Sequence, residues 1–306
     1  AQYNLARCYE NGLALERNVE KAVQLYAQAA TKGIGRAQSR LADCYENGRG
    51  VEKDYTVAMK WYRKAADSGD SRAQYEMGMR FLDGRFVNTD AEKGIDYLSR
   101  AAAQNNPDAL YALAMCCEEG LGTSVNQRRA FEYYEASAKA GNVKGMLKSG
   151  ICCELGLGTF TDPVRAVEYF ENAANLGDVK AQCNMGRCAA LGIGMQKDDV
   201  AAFKWYSKAA ENGDIEACYY VGVCYEKGLG VVADAERAVH WYRISAQNNY
   251  APAQNNLGGC YWNGVGVNQS YEDAVYWCRK AAEQGNAAAQ FRMGSCCEFG
   301  RGTEQD

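Results

Sequence analysis

A spacing of 36 residues governs this chain from Ala1 to Asp306, without an insertion or deletion. Copies begin at Ala1, Ala37, Ala73, Ala109, Gly145, Ala181, Ala217, Ala253 and Ala289, and the last stops halfway. A fixed period in this range marks an array of small supersecondary units, each too small to bury its apolar face alone. Such units are stable only when stacked on their neighbours, so the repeat sets the architecture and directs function toward surface recognition.

Numbering positions within one copy exposes the helix signals. Position 12 is glycine in all nine copies, Gly12 through Gly300, and position 14 is glycine in seven, the exceptions being Ala14 and Phe86. A recurring glycine after an apolar periodic segment predicts a helix C-terminus that needs positive φ or a close backbone approach. Position 18 holds Asn18, Asp54, Asp90, Asn126, Asp162, Asp198, Asp234, Ser270 and Asp306, all side chains that can accept from the free N–H groups opening a helix. Position 33 is glycine or asparagine, as a left-handed C-cap requires. Pro163 follows Asp162 at a first helical position, while Pro107 and Pro252 are expected in the turns between copies.

The expected unit is therefore helix A over about positions 1–11, a glycine-rich loop, and helix B over about positions 18–32. Large apolar residues at position 5 of helix A stand beside alanine or glycine at position 6, which lets helix B approach closely. Helix B offers small residues at position 22 and an aromatic pair at positions 25–26, such as Trp61–Tyr62 and Tyr133–Tyr134, expected in the core. The fold class is all-α: antiparallel helix pairs in eight full repeats plus a final A helix, one array over residues 1–306. The chain has no initiator Met, starts at position 1 and stops at an N-cap, so it reads as a domain excised from a longer protein.

Stretches such as AQSRLADCYENGRGVEKDYTVAMKWYRKAADSGD (37–70) and AQNNLGGCYWNGVGVNQSYEDAVYWCRKAAEQGN (253–286) resemble Sel1-like repeats, relatives of the tetratricopeptide repeat. The resemblance recurs in every copy. It implies a right-handed α-solenoid whose A helices line a concave surface. It also implies an adaptor or scaffold role in multiprotein assemblies and no shared catalytic residue.

Composition narrows the partners. A net charge of −4 and a pI near 5.4 argue against a phosphate-binding surface, hence against nucleic acid. No apolar run approaches the roughly 18 residues of a membrane span, so direct insertion is not expected. Of 14 cysteines, eight share position 8, among them Cys44, Cys116, Cys152 and Cys224. Adjacent cysteines on a helix point roughly 100° apart, and equivalent positions in stacked repeats lie roughly 8–10 Å apart, too far for a disulfide. Packing is the expected role, with a cysteine-based metal or redox module as the alternative. Some Sel1-like proteins carry disulfides between helix B and the next helix A; here Ala29, Ala65, Ala101 and Ala209 stand at the helix B sites. So many unpaired thiols favour a reducing compartment, the cytoplasm first. No cofactor and no metal are implied, and no Ser/Lys or Cys/His group stands out as an activated nucleophile. The single histidine, His240, is expected in solvent.

By analogy with tetratricopeptide repeats, positions 3, 7, 10 and 11 of helix A face the groove. An apolar stretch there is confined to repeats three to six: Tyr75, Met79, Leu82, Tyr111, Met115, Leu147, Ile151 and Leu155, with Leu191 beyond. Exposed apolar surface framed by charge marks an interaction site, so a protein or peptide partner is expected on these eight residues. Position 10 is glutamate in six copies: Glu10, Glu46, Glu118, Glu154, Glu226 and Glu298. A carboxylate in the last turn opposes the helix dipole, so its recurrence implies a use, either a bond to a neighbouring repeat's backbone or an acidic ladder for a basic segment. Repeat three departs from the pattern. Arg80 replaces the usual cysteine and is expected to pair with Asp83 or Asp90.

Overall fold

The structure is a computed structural model describing residues 1–298, with side chains described through Gly294. Gly300 and Asp306 lie outside the described residues, as do the side chains of Cys296, Cys297 and Glu298. Among the described residues there are seventeen α-helices and no strand. The chain divides into two compact units, Ala1–Thr161 and Asp162–Asp306.

The first unit holds α1 (Gln2–Asn11), α2 (Val19–Thr31), α3 (Gly35–Asn47), α4 (Tyr55–Asp67), α5 (Ser71–Asp83), α6 (Ala91–Ala102), α7 (Pro107–Glu119), α8 (Gln127–Lys139) and α9 (Val143–Leu155). The second holds α10 (Pro163–Asn175), α11 (Val179–Leu191), α12 (Asp199–Glu211), α13 (Ile215–Lys227), α14 (Ala235–Gln247), α15 (Ala251–Asn263), α16 (Tyr271–Glu283) and α17 (Ala287–Glu298). Odd-numbered helices are A helices and even-numbered ones B helices. Within each unit consecutive helices pack on one another, so an A helix lies against the B helix of its own repeat and that of the repeat before wherever the unit contains both.

The caps show why the helices start and stop where they do. The position 18 side chain accepts from a backbone N–H of the first turn in all eight described B helices, from Asn18 with Lys21 to Ser270 with Asp273. Position 12 is left-handed after each described A helix through α15, with φ of 68° at Gly12 and 77° at Gly120. The A helices begin two residues earlier than the repeat boundaries suggested, because position 34 is a second N-cap: Asp70, Asn106, Asn142, Asp178, Asp214 and Asn286 each accept from the N–H three residues on. Pro107 and Pro252 therefore sit in the first turns of α7 and α15 rather than in the turns between repeats.

Close packing of A on B follows the small residues at position 6. A Cβ on Gly186 would come within 2.6 Å of the Tyr206 ring, and one on Gly222 within 2.6 Å of Tyr242. Only the second aromatic of each B-helix pair is fully core: Tyr62, Tyr134, Phe170, Tyr206 and Tyr242 are buried. The first is half-buried, and a cation covers several of these rings, Lys64 over Trp61 at 4.8 Å and Lys208 over Trp205 at 5.2 Å. Sequence reasoning had put both in the core. A bond it missed ties repeat to repeat: the buried glutamine at position 2 donates to the last turn of the preceding B helix, Gln38 to Ala30 O at 3.0 Å and Gln254 to Ala246 O at 3.1 Å.

Candidate functional site

The A helices of repeats three to five enclose a recess of about 600 Å³ in the first unit. Helix α5 contributes Tyr75, Met79, Leu82 and Asp83, and α7 contributes Tyr111, Ala112, Met115 and Cys116. Leu121 closes one side from the loop after α7, while Asn142, Val143 and Lys144 close another from the start of α9. Tyr75, Met79, Leu82, Tyr111 and Met115 are half-buried, so each shows an apolar edge to solvent while its base is held in the helix packing.

Five of the eight residues expected to bind a partner thus meet in one place. The other three do not line it. Leu147 and Ile151 are half-buried along α9, and Leu155 is 62% exposed at the end of that helix. Sequence reasoning missed the polar rim of Asp83, Asp108, Asn142 and Lys144. Asp108, Asn142 and Lys144 lie at positions 36, 34 and 36, which the expected boundaries put in the turn. The capping pattern at position 34 is the signal that would have placed them on helix A.

Repeat three shapes the floor. Leu82 stands where repeats one, two, four and seven carry glutamate, and Leu98 where they carry tyrosine, so an apolar contact replaces a polar one. The exchange needs room. Gly94 supplies it, since a Cβ there would come within 2.9 Å of Leu82. Burial is the first cause that raises the Tyr75 hydroxyl above its ordinary pKa, followed by the charges of Asp108 and Glu76; burial likewise raises that of Tyr111. Both stay protonated donors near neutral pH. Asn142 Nδ2 donates to Asp108 at 2.9 Å and fixes one corner of the rim.

Arg80, on the α5 turn that also carries Met79, pairs with neither expected aspartate. Asp83 holds Arg85 and Asp90 holds Lys93. The Arg80 guanidinium instead bridges Glu46 at 2.6 Å and Glu76, and lies 4.3 Å over the Tyr62 ring. Arg80 is 4% exposed, and its carboxylates come from side chains packed around it, Glu46 of α3 and Glu76 one turn earlier on α5.

Four of the glutamates at position 10 meet the buried tyrosine at position 26 of their own repeat rather than a neighbouring repeat's backbone: the Tyr26 hydroxyl lies 2.6 Å from Glu10, that of Tyr62 2.8 Å from Glu46 and that of Tyr242 2.7 Å from Glu226, and Tyr134 donates to Glu118. In Glu118 burial opposes ionisation, but hydrogen bonds from Tyr134 and Lys148 outweigh it and hold the carboxyl below its ordinary range. Glu154 is half-buried, its repeat carrying Phe170 at position 26, and the Glu298 side chain lies outside the described residues.

The thiols at position 8 are packing groups in this geometry. Cys44, Cys116, Cys152, Cys224 and Cys260 are buried, and burial first of all pushes each up to about 11. No disulfide forms among the described cysteines, and no group of three or more His, Cys, Asp or Glu side chains converges on a metal position among the described residues. No helix among them is long and apolar enough to cross a membrane.

Stacked, capped helix pairs with an apolar recess on the A-helix face define an α-solenoid repeat protein. The Sel1 repeat profile matches residues 1–34, 35–70, 71–106, 107–142, 143–178, 179–214, 215–250, 251–286 and 287–306, so the chain belongs to the Sel1-repeat family. Its boundaries agree with helix A beginning at position 35. Among solved structures, the chain is similar to a protective antigen present in uropathogenic Escherichia coli strains that displays an SLR fold. That match has a TM-score of 0.73 and 31% identity, covering 100% of this chain and 73% of the other. A Sel1 repeat protein from Oxalobacter formigenes matches with a TM-score of 0.68 and 28% identity, over 96% of this chain and 85% of that one. Comparison with curated protein sequences gave no match.

Proposed function

We propose that this chain is a scaffold that binds a protein partner on the A-helix face of its first unit, with the recess between Met79 and Met115 as the anchor point. Sel1-repeat proteins are generally non-catalytic and mediate protein–protein interactions, which sets the class of function. The observation that carries the finer reading is the recess itself: five apolar or aromatic side chains from two A helices, half-buried, ringed by Asp83, Asp108 and Lys144. Apolar centres with polar rims are where interface energy concentrates, and methionine adapts its shape to the side chain it receives. The partner contributes an apolar side chain to the recess and polar groups to its rim. Buried, protonated thiols fit a cell compartment that is reducing, and we place the protein there.

The test is a photo-crosslinking amino acid at position 115, compared with the same group at Arg128 on the exposed face of α8, in the cells that make the protein. A partner joined from position 115 and not from 128 supports the reading. Folded Met79→Lys/Met115→Lys protein should lose that partner; retention of it by the folded variant would move recognition elsewhere on the chain.

A further inference from the structure

Repeat three carries Phe86 at position 14, where seven repeats carry glycine. Its φ is 63°, a left-handed conformation that strains an aromatic residue. The ring stacks on that of Tyr55, the first residue of α4, with centroids 4.1 Å apart and planes 20° from parallel. Both rings keep solvent contact, Phe86 at 44% exposure and Tyr55 at 38%. They line a groove of about 750 Å³, bounded by α4 from Tyr55 to Asp67 and by the loop after α5, with half-buried Trp61 in its wall. All of it belongs to the first unit, and it shares no residue with the recess between Met79 and Met115.

The charges along this groove lack partners. Lys60, Arg63 and Lys64 stand at i, i+3 and i+4, so they share one exposed face of α4. Asp67 is the one carboxylate in the lining. Among the described residues none of these four charges makes an ion pair, and Lys64 only covers the Trp61 ring at 4.8 Å, which leaves its charge uncompensated. Like charges at i and i+4 repel, and the repeat does not demand them: the same three positions in α8 hold Glu132, Glu135 and Ala136. We propose that the groove docks an acidic segment of a partner protein, its carboxylates set against Lys60 and Arg63 and an apolar side chain laid on the rings of Tyr55, Phe86 and Trp61. The Arg63 guanidinium matches a carboxylate with two parallel donors, and aromatic rings beside an arginine are where interface energy concentrates. Nucleic acid suits the groove less well. Three cations on one helix neutralise few phosphates, and the chain's net charge of −4 repels the rest.

The test selects from a random heptapeptide display library on the whole chain and on Lys60→Gln/Arg63→Gln. Both replaced side chains are exposed, so the variant should melt with the parent. Peptides kept by the parent and lost by the variant should be rich in Asp and Glu beside an aromatic or aliphatic residue. Such a peptide, synthesised, should bind the variant about 5-fold more weakly, the scale of two exposed charge pairs, and should bind the parent more weakly as salt is added. It should also shift the indole resonance that disappears in Trp61→Phe. Phe86→Gly restores the usual residue at a φ that glycine adopts freely, so it should fold, and loss of the ring should weaken the same peptide. Selections that do not differ, a difference set without acidic residues, or an indole resonance that ignores the peptide overturns the site. A labelled oligothymidylate that displaces the peptide and binds more tightly overturns it too, by giving the groove to single-stranded nucleic acid.

Discussion

Arg80 and Glu46, 34 residues apart and on successive A helices, form a 2.6 Å ion pair inside the first unit. The Glu46 carboxylate also lies 2.8 Å from the Tyr62 hydroxyl, and Arg80 also holds Glu76, so charges from repeats two and three meet in one cluster. Asp43, 4% exposed, joins it through Tyr62 and is paired with Arg72 at 2.6 Å. Removing one member leaves a buried charge without its partner, which costs far more than the intact pair contributes.

Arg80→Met should therefore lower stability by about 3–5 kcal/mol, the usual scale for breaking a buried pair. Glu46→Gln added to Arg80→Met should recover part of that loss, since it removes a stranded charge. Urea unfolding of the two variants and the parent measures both; equal stability of Arg80→Met and the parent would show that the cluster is solvated.

The Glu118–Tyr134 pair sets an acid limit on stability. The Glu118 carboxyl titrates below its ordinary range when folded, so the unfolded chain binds more protons around that range. Its contribution is complete above the ordinary carboxylate value and is lost as pH falls through the folded value. Tyr134→Phe should cost about 1–2 kcal/mol at pH 7, reduced from the full charge-assisted value because Glu118 keeps contact with solvent. The deficit should shrink as pH falls below the carboxylate range. A deficit that stayed constant with pH would assign it to packing alone.

Glycine at position 14 serves two needs at once. Gly158 has φ of 72°, and a Cβ there would come within 2.0 Å of Gln127 O, backbone that cannot move aside. Gly158→Ala should therefore cost about 2 kcal/mol or more, above the left-handed penalty alone. Gly141→Ala, at φ of 93° with nothing within 4 Å, should cost only that penalty, about 1–2 kcal/mol. Thermal melts of the two variants separate the effects. Similar melting points would mean that the loop after α9 yields without strain.

Much of this architecture could be read from residue types because each signal repeats. Asn or Asp at position 18 and glycine at positions 12 and 33 marked helix ends that the structure places within two residues. The A-helix starts escaped because Ile34 and Tyr250 interrupt the capping row at position 34, and neither makes a side-chain cap. Met79 and Met115 could be placed together from their common position 7. Asp108 and Lys144 could not, since they were assigned to turns. Partners across helices were the least legible: Glu10 with Tyr26, and Arg80 with Glu46, depend on how A and B helices rotate about their axes. Sequence spacing does not fix that rotation, so the nearer Asp83 and Asp90 looked equally able to serve Arg80.

The thiol row makes a final prediction, at alkaline pH. Cys44, Cys116, Cys152, Cys224 and Cys260 are pushed up by burial from an ordinary 9.0 to about 11 in the folded chain. As pH rises past 9 the unfolded thiols ionise first, the folded state holds more protons, and stability falls with pH. The contribution is whole below pH 9 and is lost progressively toward pH 11, the range set by those two values. Tm should decline across that window, and the decline should flatten when buried position 8 cysteines are replaced by alanine, although each such variant starts lower for the lost packing. Thiol chemistry offers a parallel readout. Half-buried Cys8 should react first with a disulfide reagent among the described cysteines, while the buried row reacts only as denaturant opens the chain. Rapid reaction of the whole row in the folded protein, with a Tm unchanged from pH 9 to 11, would show ionised, accessible thiols and return the row to redox or metal chemistry.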